Sequence, residues 1–468
     1  MKKSLLFILS AALLASCAGG PNGELVGAYP REEWDQINPY GMNYIPYGSF
    51  TMGASDEDIS YAHTTTLKTV TVPAFYIDQT EITNNEYRQF VNWVRDSLQR
   101  DVLANADIEG YKLEDRDDGR DWSTFVTKGY VLNWETPIDM YNEEVFDALY
   151  DQFYVKQSER FYDRQEIDPR VLNFKYWWID YKGASVRRGN SEFKDRYDSD
   201  RDYELGVPNS LDQLHSIRWH SDRSQFIIEE TINIYPDTLC WVHDYTYGFN
   251  EPLTESYFWH PAYDDYPVVG ITWGQSLAFC AWRTQILNEF KFTNEEAFVQ
   301  RFRLPTEAEW EFAARGGLDL SPYPWGGPYV RNNLGCPLAN FKPMRGDYVE
   351  DGGCHTVPVY SYSPNEYGLY CMAGNVAEWT STAFDESVYQ FTHDMSPEYD
   401  YRAKGDDQPS MKRKVIRGGS WKDIGYFIQN GSRAYEYQDT SKSYIGFRCV
   451  MSYLGRGKNV AAEDLNEE

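Results

Sequence analysis

Cysteine is the residue type in this chain with the widest chemical reach, and it occurs seven times. Cys17 stands apart near the N-terminus, while Cys240, Cys280, Cys336, Cys354, Cys371 and Cys449 are spread over the rest. Two thiolates close in sequence would suit a soft metal or a redox couple, but no CxxC spacing occurs, and connectivity cannot be assigned from spacing alone. The seven histidines are scattered. His215 and His220 are five apart, off the register that would put both on one helical face, so satisfied surface histidines are a better reading than a zinc-type site.

The 468 residues carry 72 acidic against 44 basic side chains, a formal charge of −28. Such a field argues against a phosphate-backbone ligand and so against nucleic acid. Aromatic residues are 16%, with 38 Tyr and 15 Trp, enough ring surface for a large core and for interfaces. The length suggests about three domains as a prior, and a single elaborated domain also fits.

Met1-Lys2-Lys3 is a short basic segment, and Leu5 to Leu14 is apolar but too short to span a bilayer. Leu14-Ala15-Ser16-Cys17 resembles the bacterial lipobox. It implies a signal peptide over 1–16, cleavage before Cys17 and a covalent lipid on its sulfur; several acyl chains make a stable anchor where one would be marginal. Residues 17–39 then read as the lipidated cysteine and a tether. Ala18 resembles signals sorted to the outer membrane, which places the body facing the periplasm.

Three segments show a hydroxyl N-cap followed three residues later by Glu or Gln: Thr83 with Glu86, Thr272 with Gln275, and Thr306 with Glu309. After the first, Tyr87, Phe90, Val91 and Val94 fall on one helical stripe. Leu277, Cys280 and Ala281 repeat the spacing after the second; Trp310, Ala313 and Ala314 do so after the third, before Gly316-Gly317 stops the helix. Short strands are predicted at Met42 to Phe50, Val70 to Ile77, Val357 to Tyr362, Lys414 to Ile416 and Gly446 to Met451. Few helices and many short strands argue an α+β class with much irregular chain. Residues 96–262 mix charge with aromatics at weaker periodicity and read as an insertion; 453–468 read as a flexible tail.

Eight blocks occur in order: Phe50-Thr51-Met52-Gly53, Ile77 to Asn84, Tyr266 to Trp273, Arg303 to Trp310, Gly368-Leu369-Tyr370, Gly374 to Trp379, Arg417 to Trp421, and Gly446-Phe447-Arg448-Cys449. They resemble the formylglycine-generating-enzyme, or sulfatase-modifying-factor, domain across residues 40–452. The resemblance implies that family's irregular α+β fold, related to the C-type-lectin-like architecture. A narrower resemblance rests on Pro39 to Met42, Ser49 to Gly53 and Glu81 to Ser97, joined to the lipobox and the long insertion. These are similar to the K lipoproteins (GldK/PorK) of gliding motility and type IX secretion in Bacteroidota; the sister gliding lipoprotein GldJ shares the domain.

The family's enzymes oxidise a substrate cysteine with oxygen, through two copper-holding cysteines five apart that follow a Gly-Gly-Ser-aromatic motif. Here Gly418-Gly419-Ser420-Trp421 is followed by Asp423 and Ile428 where the thiols belong. A carboxylate and an aliphatic chain cannot make a dithiolate copper centre, so the expectation is a pseudoenzyme with no catalytic residues and no required cofactor. The resemblance also implies structural calcium held by Asn340, the Phe341 carbonyl, Asp351 and the Gly353 carbonyl. Turn capping by Asn340 and Asp351 is the alternative. A second set would be the Gly374 and Val376 carbonyls with Glu378, although Cys371 stands where the family has Asp or Asn. Cys280 and Cys449 match a family disulfide, with two free buried thiols as the alternative.

The expected function is a non-catalytic, outer-membrane-anchored scaffold that self-associates into the periplasmic ring of the type IX machinery with a GldN/PorN-type partner. Trp134, Trp177, Trp178 and Tyr181 are candidate interface anchors, although the core of the insertion is the commoner role for any one of them. The alternatives are a copper-dependent formylglycine-generating oxidase acting on sulfatases, and a lectin-like glycan-binding lipoprotein.

Overall fold

The computed structural model describes residues 36–54, 66–113, 131–160, 165–181, 226–246, 252–294, 296–343 and 346–455. Cys17 and the signal segment lie outside the described residues, as do the tail from 456 onward and the histidines at 215 and 220. Residues 38–453 form one compact unit; positions 36, 37, 454 and 455 belong to a second.

Strand β1 (Met42–Ile45) and β2 (Gly48–Met52) are separate where the sequence predicts one strand, because Pro46 between them has no N–H for a ladder. Pro73 likewise separates β3 (Lys68–Val72) from β4 (Phe75–Asp78). β2 pairs with β3, and β4 pairs with β1. Helix α1 (Asn84–Asn105) starts at a capping box formed by Thr83 and Glu86, and buries Tyr87, Phe90, Val91 and Val94. It runs through residue 96, so the proposed start of the insertion falls inside a helix. Short β5 (Lys112–Leu113) and β6 (Val131–Leu132) pair, helix α2 (Glu143–Phe153) follows, and β7 (Asn173–Ile179) pairs with β8 (Ile227–Asn233).

Helix α3 (Trp273–Thr293) and helix α4 (Glu307–Arg315) also begin at complete capping boxes, Thr272 with Gln275 and Thr306 with Glu309. Gly316 ends α4 in the left-handed conformation at φ 59°. Val357 to Tyr362 is not a strand: Pro358 cannot donate, and the Ser361 N–H folds back onto its carbonyl at 3.0 Å. β9 (Ala377–Ala383), β10 (Arg413–Arg417), β11 (Ala434–Tyr437) and β12 (Ile445–Gly446) form a four-stranded sheet ordered β11-β10-β9-β12, with β12 parallel to β9. β13 (Val450–Ser452) then joins β4 in the other main sheet, ordered β1-β4-β13. The predicted strand at Gly446 to Met451 is therefore two strands in two sheets.

The main apolar cluster unites α1, α3 and residues from both sheets, with Phe90, Phe279, Trp379 and Phe447 among its buried members. Leu172, Phe174, Tyr176 and Ile234 from the expected insertion belong to the same cluster. That insertion therefore contributes directly to the core.

Candidate functional site

The loop that follows β10 carries the family motif. Gly418 and Gly419 have φ of 89° and 65°, a left-handed geometry that side chains with a Cβ resist. A Cβ on Gly419 would also meet the Phe427 carbonyl oxygen at 2.7 Å. This tight turn lets the Asp423 carboxylate reach back: Oδ2 accepts from the Ser420 N–H at 2.9 Å and its hydroxyl at 2.7 Å, while the Asp423 N–H donates to the Ser420 carbonyl at 2.9 Å. Ile428 is fully buried against Tyr323, Ala339, Phe341 and Ala373. The two positions at which the resemblance implies thiols are thus a turn-closing carboxylate and a core side chain.

A segment of the insertion covers the neighbouring aromatic. Trp241 stacks on Trp421 with centroids 5.9 Å apart and planes at 22°. Asp244 receives both the Lys422 ammonium and the Ser443 hydroxyl, and Asp237 accepts from the Ser441 hydroxyl at 2.8 Å. Sequence reading missed this strap, because its partners are about 180 residues or more away along the chain.

The first calcium-type set comes together. The Asp351 carboxylate accepts from the Phe341 N–H at 2.7 Å and the Gly353 N–H at 3.3 Å. Burial pushes its acidity towards the neutral form, while these two donors oppose that shift. Asn340 donates to the His355 carbonyl at 2.8 Å, and its own Oδ1 is buried without a hydrogen-bond partner. A Cβ on Gly353 would lie 3.4 Å from that oxygen. An orphan amide oxygen and a carboxylate on the nearby loop are the oxygen-donor types a hard cation takes.

The second set is arranged differently. Glu378, fully buried, accepts from Arg448 through both oxygens at 2.6 and 2.7 Å, and from the Trp310 indole at 2.7 Å. Its charge is therefore already balanced. Cys371 donates to the Val359 carbonyl at 3.3 Å, and burial pushes its thiol well up. Gly374 has φ of 78°, and a Cβ there would approach the Asn340 carbonyl oxygen to 2.1 Å, so both the conformation and the space require glycine. The donors Gly374, Val376 and Glu378 do not by themselves fit a cation, since Arg448 occupies the carboxylate.

Glu81 is the residue at this place that sequence reasoning did not single out. It is fully buried, and the Asn375 side chain donates to its two oxygens at 3.1 and 3.2 Å. Burial, and then Glu378, hold its carboxyl well above the usual range. The signal was a pair of acidic side chains, Asp78 and Glu81, in the short polar run between Ile77 and Ile82.

Cys280 and Cys449 lie in the core with Sγ atoms 3.5 Å apart, as thiols. Among the described residues, no group of three or more His, Cys, Asp and Glu side chains is placed to hold a metal ion, and no helix is long and apolar enough to cross a membrane.

A body of short strands and capped helices arranged around a Gly-Gly-Ser-Trp loop defines the class. Residues 30–453 match the sulfatase-modifying factor enzyme 1-like domain, and the chain belongs to that family, with its α+β fold. It is 26% identical over 424 residues to the formylglycine-generating enzyme of Bos taurus, covering 89% of this chain and 76% of that protein. It is 34% identical over 192 residues to the inactive C-alpha-formylglycine-generating enzyme 2 of Bos taurus, covering 40% of this chain and 50% of that one. PvdO from Pseudomonas aeruginosa is similar over 88% of this chain at 17% identity, with a TM-score of 0.40.

Proposed function

We propose that this protein is a non-catalytic member of its family, a scaffold whose body positions other proteins. The observation that carries the reading is the pair of residues at the thiol positions: Asp423 closes a turn on Ser420, and Ile428 is fully buried in an apolar cluster. On this reading Cys17 carries the lipid and the body faces the periplasm from the outer membrane. The narrower sequence resemblance supports placing the body, with a GldN/PorN-type partner, in the self-associating ring of the type IX secretion and gliding machinery. Gentle detergent extraction of the tagged protein, with mass measurement of what co-purifies, tests this. A megadalton assembly containing the N-type partner is the expected result, and a reproducible lone monomer overturns it.

Structural calcium belongs to the same reading. Asn340 Oδ1 and Asp351, with the Phe341 and Gly353 carbonyls, would hold the ion and pin the 340–353 loop. Calcium titration of the full chain should raise its melting temperature, and Asn340→Ala should remove that rise; a rise unchanged in the variant places the ion elsewhere.

A second reading, copper-dependent oxidation of a substrate cysteine to formylglycine, is favoured by the names of the relatives that align over most of the chain. Incubating the purified protein with copper, oxygen and a cysteine-containing sulfatase peptide separates the two. Aldehyde formation overturns the non-catalytic reading.

A further inference from the structure

Strands β7 and β8 pair with each other and with no other strand among the described residues. The ladder is closed at its ends by the Asp180 N–H donating to the Phe226 carbonyl at 2.8 Å and the Ile234 N–H donating to the Leu172 carbonyl at 3.0 Å. In an antiparallel ladder, inward-bonded and outward-facing residues alternate. These two bonds therefore assign the even-numbered residues to the inside of the hairpin. Lys175, Trp177 and Ile179 on β7, and Ile227, Glu229 and Thr231 on β8, turn their N–H and C=O groups away from it. None of those six main chains has a backbone partner outside the hairpin among the described residues.

The side chains of the same six residues face solvent. Trp177 is 52% exposed, Ile179 42% and Ile227 48%, and Tyr181 follows at 64%. The opposite face is fixed. Phe174 and Tyr176 are buried in the main core, the Tyr176 hydroxyl and the Trp178 indole both donate to Glu230, and the Arg402 guanidinium lies 3.8 Å above the Trp178 ring. A strand edge held rigidly from below is already in the geometry that another strand needs, so little ordering cost remains.

Proteins usually blunt such an edge with proline, a bulge, a short strand or unpaired lysine. β7 has seven residues in unbroken register, without proline. Its one lysine, Lys175, is neutralised by Glu229 at 2.8 Å.

We propose that the β7 edge is a strand-addition site that receives an extended segment of a partner protein, apolar at every second position and net positive in charge. The row of outward N–H and C=O groups demands an extended main chain. Residues of an added strand that face Trp177 and Ile179 lie beside them on the same exposed surface, which selects apolar side chains at alternate positions. The sign of the charge follows from the chain's own −28, which disfavours a second copy of it as the occupant. The inference does not depend on the scaffold reading, since the open edge is present whether or not the chain assembles into a ring.

The test uses the purified full chain and a fluorescein-labelled peptide, acetyl-KVTVKVK-amide, with polarisation as the readout. A peptide of equal composition and broken alternation, acetyl-KKVVVTK-amide, controls for charge alone. We expect the alternating peptide to bind at least about tenfold more tightly, and Lys175→Pro to weaken it by about tenfold or more, the scale of one or two lost main-chain hydrogen bonds. Proline at 175 removes an outward N–H and leaves the hairpin's own ladder whole. Thr231→Pro does the same on β8 and should leave binding unchanged. If Lys175→Pro lowers the melting temperature, the wild-type chain is titrated instead with the peptide N-methylated at alternate residues, which should bind at least about tenfold more weakly. Equal binding of the two peptides, loss with Thr231→Pro alone, or no binding at about millimolar peptide overturns the proposal. Concentration-dependent self-association that Lys175→Pro abolishes would make the occupant a second copy and overturn the assignment to a partner protein.

Discussion

The family-motif core and the β7–β8 hairpin handle polar groups in opposite ways. In the core, charged groups are buried and matched: Glu378 with Arg448, and Glu307 and Glu311 with Arg417, Arg315 and Arg433. At the hairpin, three residues of each strand leave their main-chain groups without a backbone partner among the described residues. A buried charge must be matched or the fold fails, whereas an exposed edge costs little in the free molecule because water satisfies it. Substitutions should therefore act on stability in the core and on association at the hairpin.

The largest effect should come from Glu378→Ala. The Trp310 indole would lose its acceptor, and the buried Arg448 would lose its balancing charge and keep only the Asp78, Gln79 and Tyr370 carbonyls, costing about 3–5 kcal/mol in urea unfolding. A loss below about 1 kcal/mol would mean that water reaches the pair and that the core is less closed than the geometry indicates.

Glu81 sharpens the comparison, because it is a buried acid that Arg448 only partly compensates. A carboxyl whose folded pKa is raised is protonated in the folded state at pH values where the unfolded chain ionises. Its contribution is fully present below the unfolded pKa and is lost as pH rises through the folded value. Glu81→Gln should thus be close to neutral at pH 4 and increasingly stabilising towards pH 8, as read by thermal melts. A gain that shrinks with rising pH would show that Glu81 is held as an anion.

A smaller loss is expected at the start of α3. Thr272→Ala removes the side-chain acceptor for the Gln275 N–H and should cost about 1 kcal/mol in urea unfolding. The smallest belongs to the hairpin: Trp177→Ser should change stability by less than about 0.5 kcal/mol while weakening the peptide binding described above. A large stability loss there would make Trp177 a core residue and erase the contrast.

Capping and apolar spacing made α1, α3 and α4 legible, since each box and its stripe lie within about ten consecutive residues. Strands were read too long at Pro46, Pro73 and the Gly446 to Met451 turn, because an apolar run does not reveal where a ladder must stop or change sheets. Of the candidate anchors, Trp134, Trp177 and Tyr181 are exposed and Trp178 is half-buried under Arg402. Alternation along a strand separates the faces only when it is known which of them meets the core.

The sequence by itself determined family membership, the helix starts and the absence of sulfur between Gly418 and Ile428, all properties written in short stretches of chain. Tertiary structure decided that Glu81 feels the charge of Glu378, that Arg448 takes up the Glu378 charge, that Asp244 meets Lys422 and that the outer edges of β7 and β8 have no strand partner among the described residues. Those facts depend on residues tens to hundreds of positions apart. Their placement comes from packing and charge balance in three dimensions, for which one-dimensional spacing carries no signal.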